Sequence, residues 1–194
     1  MNRWLIPMVA GFLATSAMAA VAEEPNMLGL YFNREAVFDD CIMVAPNTPF
    51  TIYLVLTHPT EADAAAVNAY ELSLEFVVPK GKEDTVFRLA SRIGDNAVKG
   101  LDVGANGPLG GDYIVGLASP IPASEAMILH SWEYMMTETY RADIFLGPSS
   151  KPSIPGAFPV VQKAEGSVLR QEAVAPSWDD SGAAAIINEC RGLP

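Results

Sequence analysis

Apolar and polar residues alternate with a period of two in several short segments, and this pattern restricts the fold more than any other feature. In residues 49–59 (PFTIYLVLTHP), every second side chain is a large apolar one: Phe50, Ile52, Leu54 and Leu56. Residues 68–79 repeat the pattern, with Tyr70, Leu72, Leu74 and Phe76 on one face against Glu71, Ser73 and Glu75 on the other. Such alternation predicts antiparallel strands with one buried and one wet face.

Further strand-like segments follow along the chain, at residues 27–32, 85–91, 112–118, 126–136, 141–147, 159–163, 167–171 and 184–188. Stretches rich in Gly and Pro, such as 100–112, separate them as turns. Residues 59–68 fit either a short helix or an irregular crossing between strands. Roughly ten short strands predict an all-β fold, an antiparallel β-sandwich or jelly roll. An outer-membrane barrel is disfavoured because the acidic face of residues 71–75 would have to line its lumen.

The first residues have the layout of a secretory signal peptide. Arg3 precedes an apolar run, and small residues then provide cleavage-like sequences after Ala19 and after Ala22. The apolar run is short for a membrane anchor, and no later segment is apolar enough to span a membrane. We therefore expect a signal peptide at 1–22, one domain at 23–194, and a secreted or periplasmic protein without membrane insertion after cleavage.

The chain has two cysteines, Cys41 and Cys190. In an oxidising compartment a disulfide between them is favoured over two free thiols or a chemical role. No second Cys or His lies at zinc-ligand spacing from either one. The disulfide would close a loop of nearly the whole exported chain.

The chain is acidic, with a formal net charge of −11 from 12 basic and 23 acidic residues. This charge repels phosphate backbones, which argues against nucleic acid as a partner. It is compatible with a cationic partner, with bound calcium, or with solubility alone.

The run APNTPFTIYLVLTHP followed by VNAYELSLEFVVP resembles the opening of cohesin-like and carbohydrate-binding-module-like sandwiches, over about residues 27–80. The chain is also similar to uncharacterised bacterial secreted proteins that have an early LGLYF strand, a cysteine soon after it, and a closing IN-x-C. The cohesin resemblance implies protein–protein docking. The carbohydrate-module resemblance implies glycan binding through exposed aromatic residues, often with a structural calcium. No functional residue of either family matches a position here.

Two loop segments suggest a calcium site. Residues 38–40 (FDD) precede Cys41, and residues 178–180 (WDD) precede Cys190. If the disulfide brings these ends together, the candidate metal ligands are Asp39, Asp40, Asp179 and Asp180, and calcium suits such a set. The alternative is that each pair lies in a solvated turn. No other cofactor is expected.

Three aromatic residues are candidates for stacking on a sugar: Trp132, Tyr134 and Trp178. Trp132 and Tyr134 fit a core position better, because the neighbouring residues on both faces are apolar. His130 shares their face and fits a buried histidine better than a catalytic one. His58 precedes Pro59 and fits a surface turn.

No nucleophile-elbow, zinc-protease or P-loop motif occurs in the sequence. The sequence therefore favours an exported, non-catalytic binding module for a protein or carbohydrate partner. The alternatives are a structural component of the cell envelope or extracellular space, and a hydrolase with an unrecognised site.

Overall fold

The protein was analysed as a computed structural model that describes residues 27–35, 39–57, 66–94, 97–164, 169–177 and 181–190. The predicted signal peptide, His58 and the WDD segment lie outside these ranges. So does most of the possible helix at 59–68, although its last two residues belong to a strand. Within the described ranges no helix is long and apolar enough to cross a membrane.

The described residues form fourteen strands and one turn of 3₁₀ helix at Glu83–Thr85. The strands are β1 (Met27–Tyr31), β2 (Cys41–Ile42), β3 (Pro49–Thr57), β4 (Val67–Val77), β5 (Val86–Ile93), β6 (Val98–Asp102), β7 (Asn106–Gly107), β8 (Gly110–Ile121), β9 (Ala126–Met136), β10 (Ala142–Gly147), β11 (Val160–Lys163), β12 (Leu169–Gln171), β13 (Ala173–Val174) and β14 (Ala185–Ile187).

The strands build two sheets. The smaller sheet has the order β13-β1-β3-β9-β5. The larger sheet has the order β12-β11-β4-β10-β14-β2, and β8 lies on the other side of β4, where it also pairs with β6 and β7. Pairing is antiparallel except for β1 with β13 and β2 with β14. The all-β, antiparallel sandwich predicted from the sequence is confirmed.

The two sheets enclose one main hydrophobic core. The apolar faces predicted for β3 and β4 point into it, and the side chains concerned are at most 6% exposed: Phe50, Ile52, Leu54, Leu56, Tyr70, Leu72, Leu74 and Phe76. The long strand β9 contributes its inward side chains to the same core: Met127, Leu129, Trp132, Tyr134 and Met136. Burial of this apolar area is the main stabilising contribution to the fold.

The structure corrects one turn prediction. Residues 100–112 contain the end of β6, all of β7 and the start of β8. Glycine in this stretch does not end a strand but allows two strands to pair closely. Gly110 has a φ of 108°, and a Cβ at this position would lie 1.9 Å from the Leu74 carbonyl oxygen on β4. Only glycine lets β8 approach β4 so closely.

The predicted disulfide joins a segment near the start of the described chain to its last described residue. Cys41 and Cys190 form a disulfide with Cα atoms 5.7 Å apart. Beside it, the side chain of Asn188 accepts a hydrogen bond from the Val44 N–H at 2.8 Å and donates one to the Tyr140 carbonyl at 3.0 Å. The disulfide and this amide together hold β2 and β14 against the rest of the larger sheet.

Candidate functional site: the β5–β6 edge

The candidate site lies where both sheets end on the same side of the sandwich. Within the described ranges β5 pairs only with β9, and β6 pairs only with β8, so each is an edge strand. The short connection 94–97 joins them. We call residues 86–103 the β5–β6 edge.

Apolar side chains are concentrated on this edge. Of the nine large hydrophobic residues that are exposed in the described structure, five lie here: Phe87 (44%), Leu89 (49%), Val98 (56%), Leu101 (57%) and Val103 (60%). Isolated exposed apolar residues are common, but five on two consecutive edge strands indicate an interaction surface.

The edge also carries positive charge, although the chain as a whole is acidic. Lys99 pairs with Asp102 at 3.0 Å, and Arg92 lies 3.4 Å from Glu133 on β9. Arg88 is half-buried and has no carboxylate partner within the described residues. Its guanidinium instead donates to the Tyr113 hydroxyl of β8 at 2.6 Å, so it bridges the opening between the two sheets.

A chain of polar groups runs inward from this opening. His130, which is 3% exposed, contacts the exposed Ser91 through Nε2 (2.7 Å) and the buried Tyr70 hydroxyl through Nδ1 (2.6 Å). The His130 ring also stacks on Trp132, with centroids 4.5 Å apart. Burial lowers the pKa of His130 to about 3, so the ring is neutral at ordinary pH.

The protons of this chain follow from hydrogen-bond accounting. The Tyr70 side chain is 1% exposed, and among the described residues its hydroxyl contacts only Nδ1 of His130, so it donates its proton there. The imidazole proton then lies on Nε2, and His130 donates to the Ser91 oxygen. A serine nucleophile needs the reverse, a base that accepts its proton. The Ser91–His130 pair is therefore arranged as a structural bridge rather than as an activated nucleophile.

Two buried polar atoms near Tyr113 and Arg88 lie outside strict hydrogen-bond geometry: Nε1 of Trp132, which interacts with the Tyr113 side chain, and the hydroxyl of Tyr134, which interacts with Arg88. Burial raises the pKa of Tyr134, and Arg88 partly opposes that effect. Burial also raises the pKa of Tyr113, opposed by Arg88 and by the Trp132 side chain. These interactions link Arg88 to Tyr113 and Tyr134, and Tyr113 to Trp132.

The structure places the other predicted site residues as follows. Trp132 and Tyr134 are both 0% exposed and belong to the core, so their rings do not form an exposed stacking surface. The Asp39 side chain accepts a hydrogen bond from Asn33 at 3.1 Å, and the Asp40 carbonyl accepts one from the Ile186 N–H. Trp178, Asp179 and Asp180 lie outside the described residues. Among the described residues, no three metal-ligating side chains lie together.

The outer face of the larger sheet is a separate, acidic surface. The segment 148–159 crosses it and is fixed by two carboxylates: Asp112 accepts from the Ser150 N–H at 2.8 Å, and Glu71 accepts from the Ser153 N–H at 2.7 Å. Each serine hydroxyl binds the second oxygen of the same carboxylate. These acids therefore already have a structural role.

No protein-family model and no curated protein sequence matches the chain. Solved structures do match. A type II cohesin domain from the cellulosome of Acetivibrio cellulolyticus superimposes with a TM-score of 0.53 at 8% identity, over 86% of this chain and 96% of that one. The fold is cohesin-like. A second match, from a CaDoc0917–CaCohA2 complex, has a TM-score of 0.50 at 10% identity and covers 77% of this chain and 94% of its own. A cohesin module of a family 33 glycoside hydrolase from Clostridium perfringens has a TM-score of 0.48 at 10% identity, over 77% of this chain and 93% of that one.

The cohesin-like fold confirms the resemblance stated from residues 27–80. Sequence reasoning missed the edge itself. Residues 85–91 were predicted as a strand, and nothing in their side-chain pattern shows which face is buried. The structure buries Val86 and leaves Phe87 and Leu89 exposed. The available signal was that three basic residues, Arg88, Arg92 and Lys99, are interspersed among apolar residues in 86–99.

Proposed function

We propose that this chain is an exported, non-catalytic module that binds a protein partner through the β5–β6 edge. The observation that carries the proposal is the group of five exposed apolar side chains on two consecutive edge strands, one in each sheet. Their burial against a partner would contribute roughly 25 cal/mol for each Å² of apolar surface removed from water, before the costs of association.

Two further observations support a binding role. The cohesin-like fold is found in a chain that was solved in a complex with CaDoc0917. Export is supported by the disulfide, since such bonds persist in oxidising compartments, and by the signal-like sequence at 1–22. The arrangement of Tyr70, His130 and Ser91 favours the non-catalytic interpretation over the hydrolase alternative.

The test is a pull-down with the purified, oxidised protein as bait. It would be exposed to envelope and secreted fractions of its source organism, with and without calcium, and both proteins and glycans would be identified in the eluate. The edge variant is Phe87→Ser combined with Leu89→Ser. Val77→Ser is the matched control, because Val77 is also 43% exposed but lies on β4, away from the edge.

We expect a saturable protein partner that the wild type and Val77→Ser retain and the edge variant loses. Retention by all three proteins would refute the role of the edge. A glycan in place of a protein would show that the carbohydrate alternative is correct. If the wild type retains nothing in either condition, the binding function itself is refuted.

A further inference from the structure

The outer edge of β5 has backbone groups that no described strand pairs with. Gly94 donates its N–H to the Leu129 carbonyl of β9 at 2.9 Å. In an antiparallel ladder the direction of the backbone groups alternates, so Ile93 and Ser91 direct their N–H and C=O groups away from β9. An unpaired strand edge of this kind is a template for another strand.

The side chains of β5 suit such an added strand. Phe87 and Leu89 are 44% and 49% exposed and would meet apolar side chains of a neighbouring strand on the same face. On the opposite face, Ser91 and Arg88 are directed towards the opening between the sheets. Each face of an added strand therefore has a different environment.

Arg88 is the distinctive group on the second face. It is half-buried, it contacts the Tyr113 hydroxyl at 2.6 Å, and no described carboxylate pairs with it. Its cross-strand neighbour on β9 is Tyr134, a fully buried side chain whose hydroxyl interacts with Arg88 without strict hydrogen-bond geometry. The Arg side chain only donates hydrogen bonds, and a carboxylate only accepts them. An arriving carboxylate would therefore pair with the Arg88 guanidinium.

We propose that β5 is a peptide-binding edge, at which an extended segment of the protein partner adds as a further strand and places a carboxylate side chain on Arg88. This inference rests on the proposed function, because it names the part of the partner that binds. The charge of the edge favours an acidic segment locally. Over residues 86–103, the three cations Arg88, Arg92 and Lys99 outnumber the two acids Asp95 and Asp102.

The first experiment measures binding of labelled peptides to the oxidised protein by fluorescence anisotropy. The probe has eight residues, the length of β5, with valine alternating with glutamate. One control peptide has glutamine in place of glutamate. Another has proline at the centre, which removes a backbone donor and prevents strand pairing. We expect saturable binding of the acidic peptide and binding of each control weaker by about tenfold or more.

The protein variants are Arg88→Gln and Arg92→Gln. They remove the same charge from the same strand, but Arg92 lies on the opposite face of β5, near Glu133. We expect Arg88→Gln to weaken binding of the acidic peptide by about tenfold, and Arg92→Gln to weaken it by about twofold or less. Arg88→Lys keeps the charge but loses the planar guanidinium, so its affinity for the peptide should lie between those of the two glutamine variants. Thermal unfolding of each variant verifies that it is folded.

The second readout is amide hydrogen exchange, which reports the backbone pairing directly. The Ser91 and Ile93 amides should exchange more slowly when the acidic peptide is bound, while the Gly94 amide, already paired with Leu129, should change little. Binding without protection of Ser91 and Ile93 would refute strand addition.

Other outcomes separate this inference from the function it rests on. Equal loss of binding in Arg88→Gln and Arg92→Gln would refute the Arg88 anchor and leave only general charge attraction. No binding of the acidic peptide at about 1 mM would refute the inference, while a partner captured by the pull-down would still support the proposed function. A dimer that forms without peptide and is lost in Arg88→Gln would show that a second copy of the chain occupies the edge, which would also refute the inference.

Discussion

Replacing Cys41 and Cys190 together by serine should destabilise the protein strongly. The disulfide joins residues that are 149 apart in sequence. In the loop-entropy model, closing a loop of this length restricts the unfolded chain by about 5 kcal/mol at 25 °C, which is an upper value. A domain of this size is typically stable by about 5–15 kcal/mol, so the loss is a large fraction of the total.

Urea denaturation measures this loss, with the fluorescence of the buried Trp132 as a probe of the core. The serine variant should unfold at a much lower urea concentration than the oxidised wild type. Adding a reductant should move the wild type to the midpoint of the variant and leave the variant unchanged. A free-energy difference under about 1 kcal/mol at an equal m-value would refute the reasoning, because the disulfide would then constrain neither state appreciably.

Three further predictions concern buried or carboxylate-bound groups. The pKa of His130 is about 3 when folded, below its unfolded value near 6.5, so protonation of the unfolded chain should reduce stability as pH falls from about 6.5 towards 3, by about 1 kcal/mol per pH unit between 6.5 and 5 and by up to about 1.4 below that. Urea titrations at several pH values should show a smaller slope for His130→Gln, and equal slopes would contradict this. Tyr70→Phe leaves Nδ1 of His130 unpaired and should cost about 1–3 kcal/mol in the same assay, and no measurable cost would show that the bond contributes nothing. Asp112→Ala removes the acceptor of the Ser150 N–H, so exchange of that amide should become faster by about tenfold, and an unchanged rate would refute the restraint on 148–159.

The sequence predicted the interior of the sandwich well. The strands β3 and β4 were recognised because their side chains alternate without interruption, and each inward position became a core residue. The disulfide was predicted because export and two cysteines leave few alternatives. The first argument uses the local pattern of side chains, and the second uses the compartment that the signal-like segment predicts, so both follow from the sequence directly.

The edges were harder to predict. The strand β6 is exposed at every position, so it has no alternation to detect. Gly110 was interpreted as a turn residue, but it allows β8 to lie against the Leu74 carbonyl. The strands β2 and β13 have two residues each and depend entirely on partners distant in sequence. Pairing of this kind is set by the tertiary fold, not by local preference.

The candidate site was not predicted for the same reason. Arg88 matters because Tyr113 of β8 and Tyr134 of β9 interact with it in the folded protein. No spacing in the sequence associates these three residues. Burial of Trp132 and Tyr134 likewise follows from the packing of both sheets against β9.

The central claim is that the β5–β6 edge binds the partner. Hydrogen–deuterium exchange of the whole protein, free and saturated with the captured partner, tests it most directly. The account predicts that new protection is concentrated at residues 86–103. Protection concentrated instead on the acidic outer face of the larger sheet, along β4, β8 and β10, would contradict it.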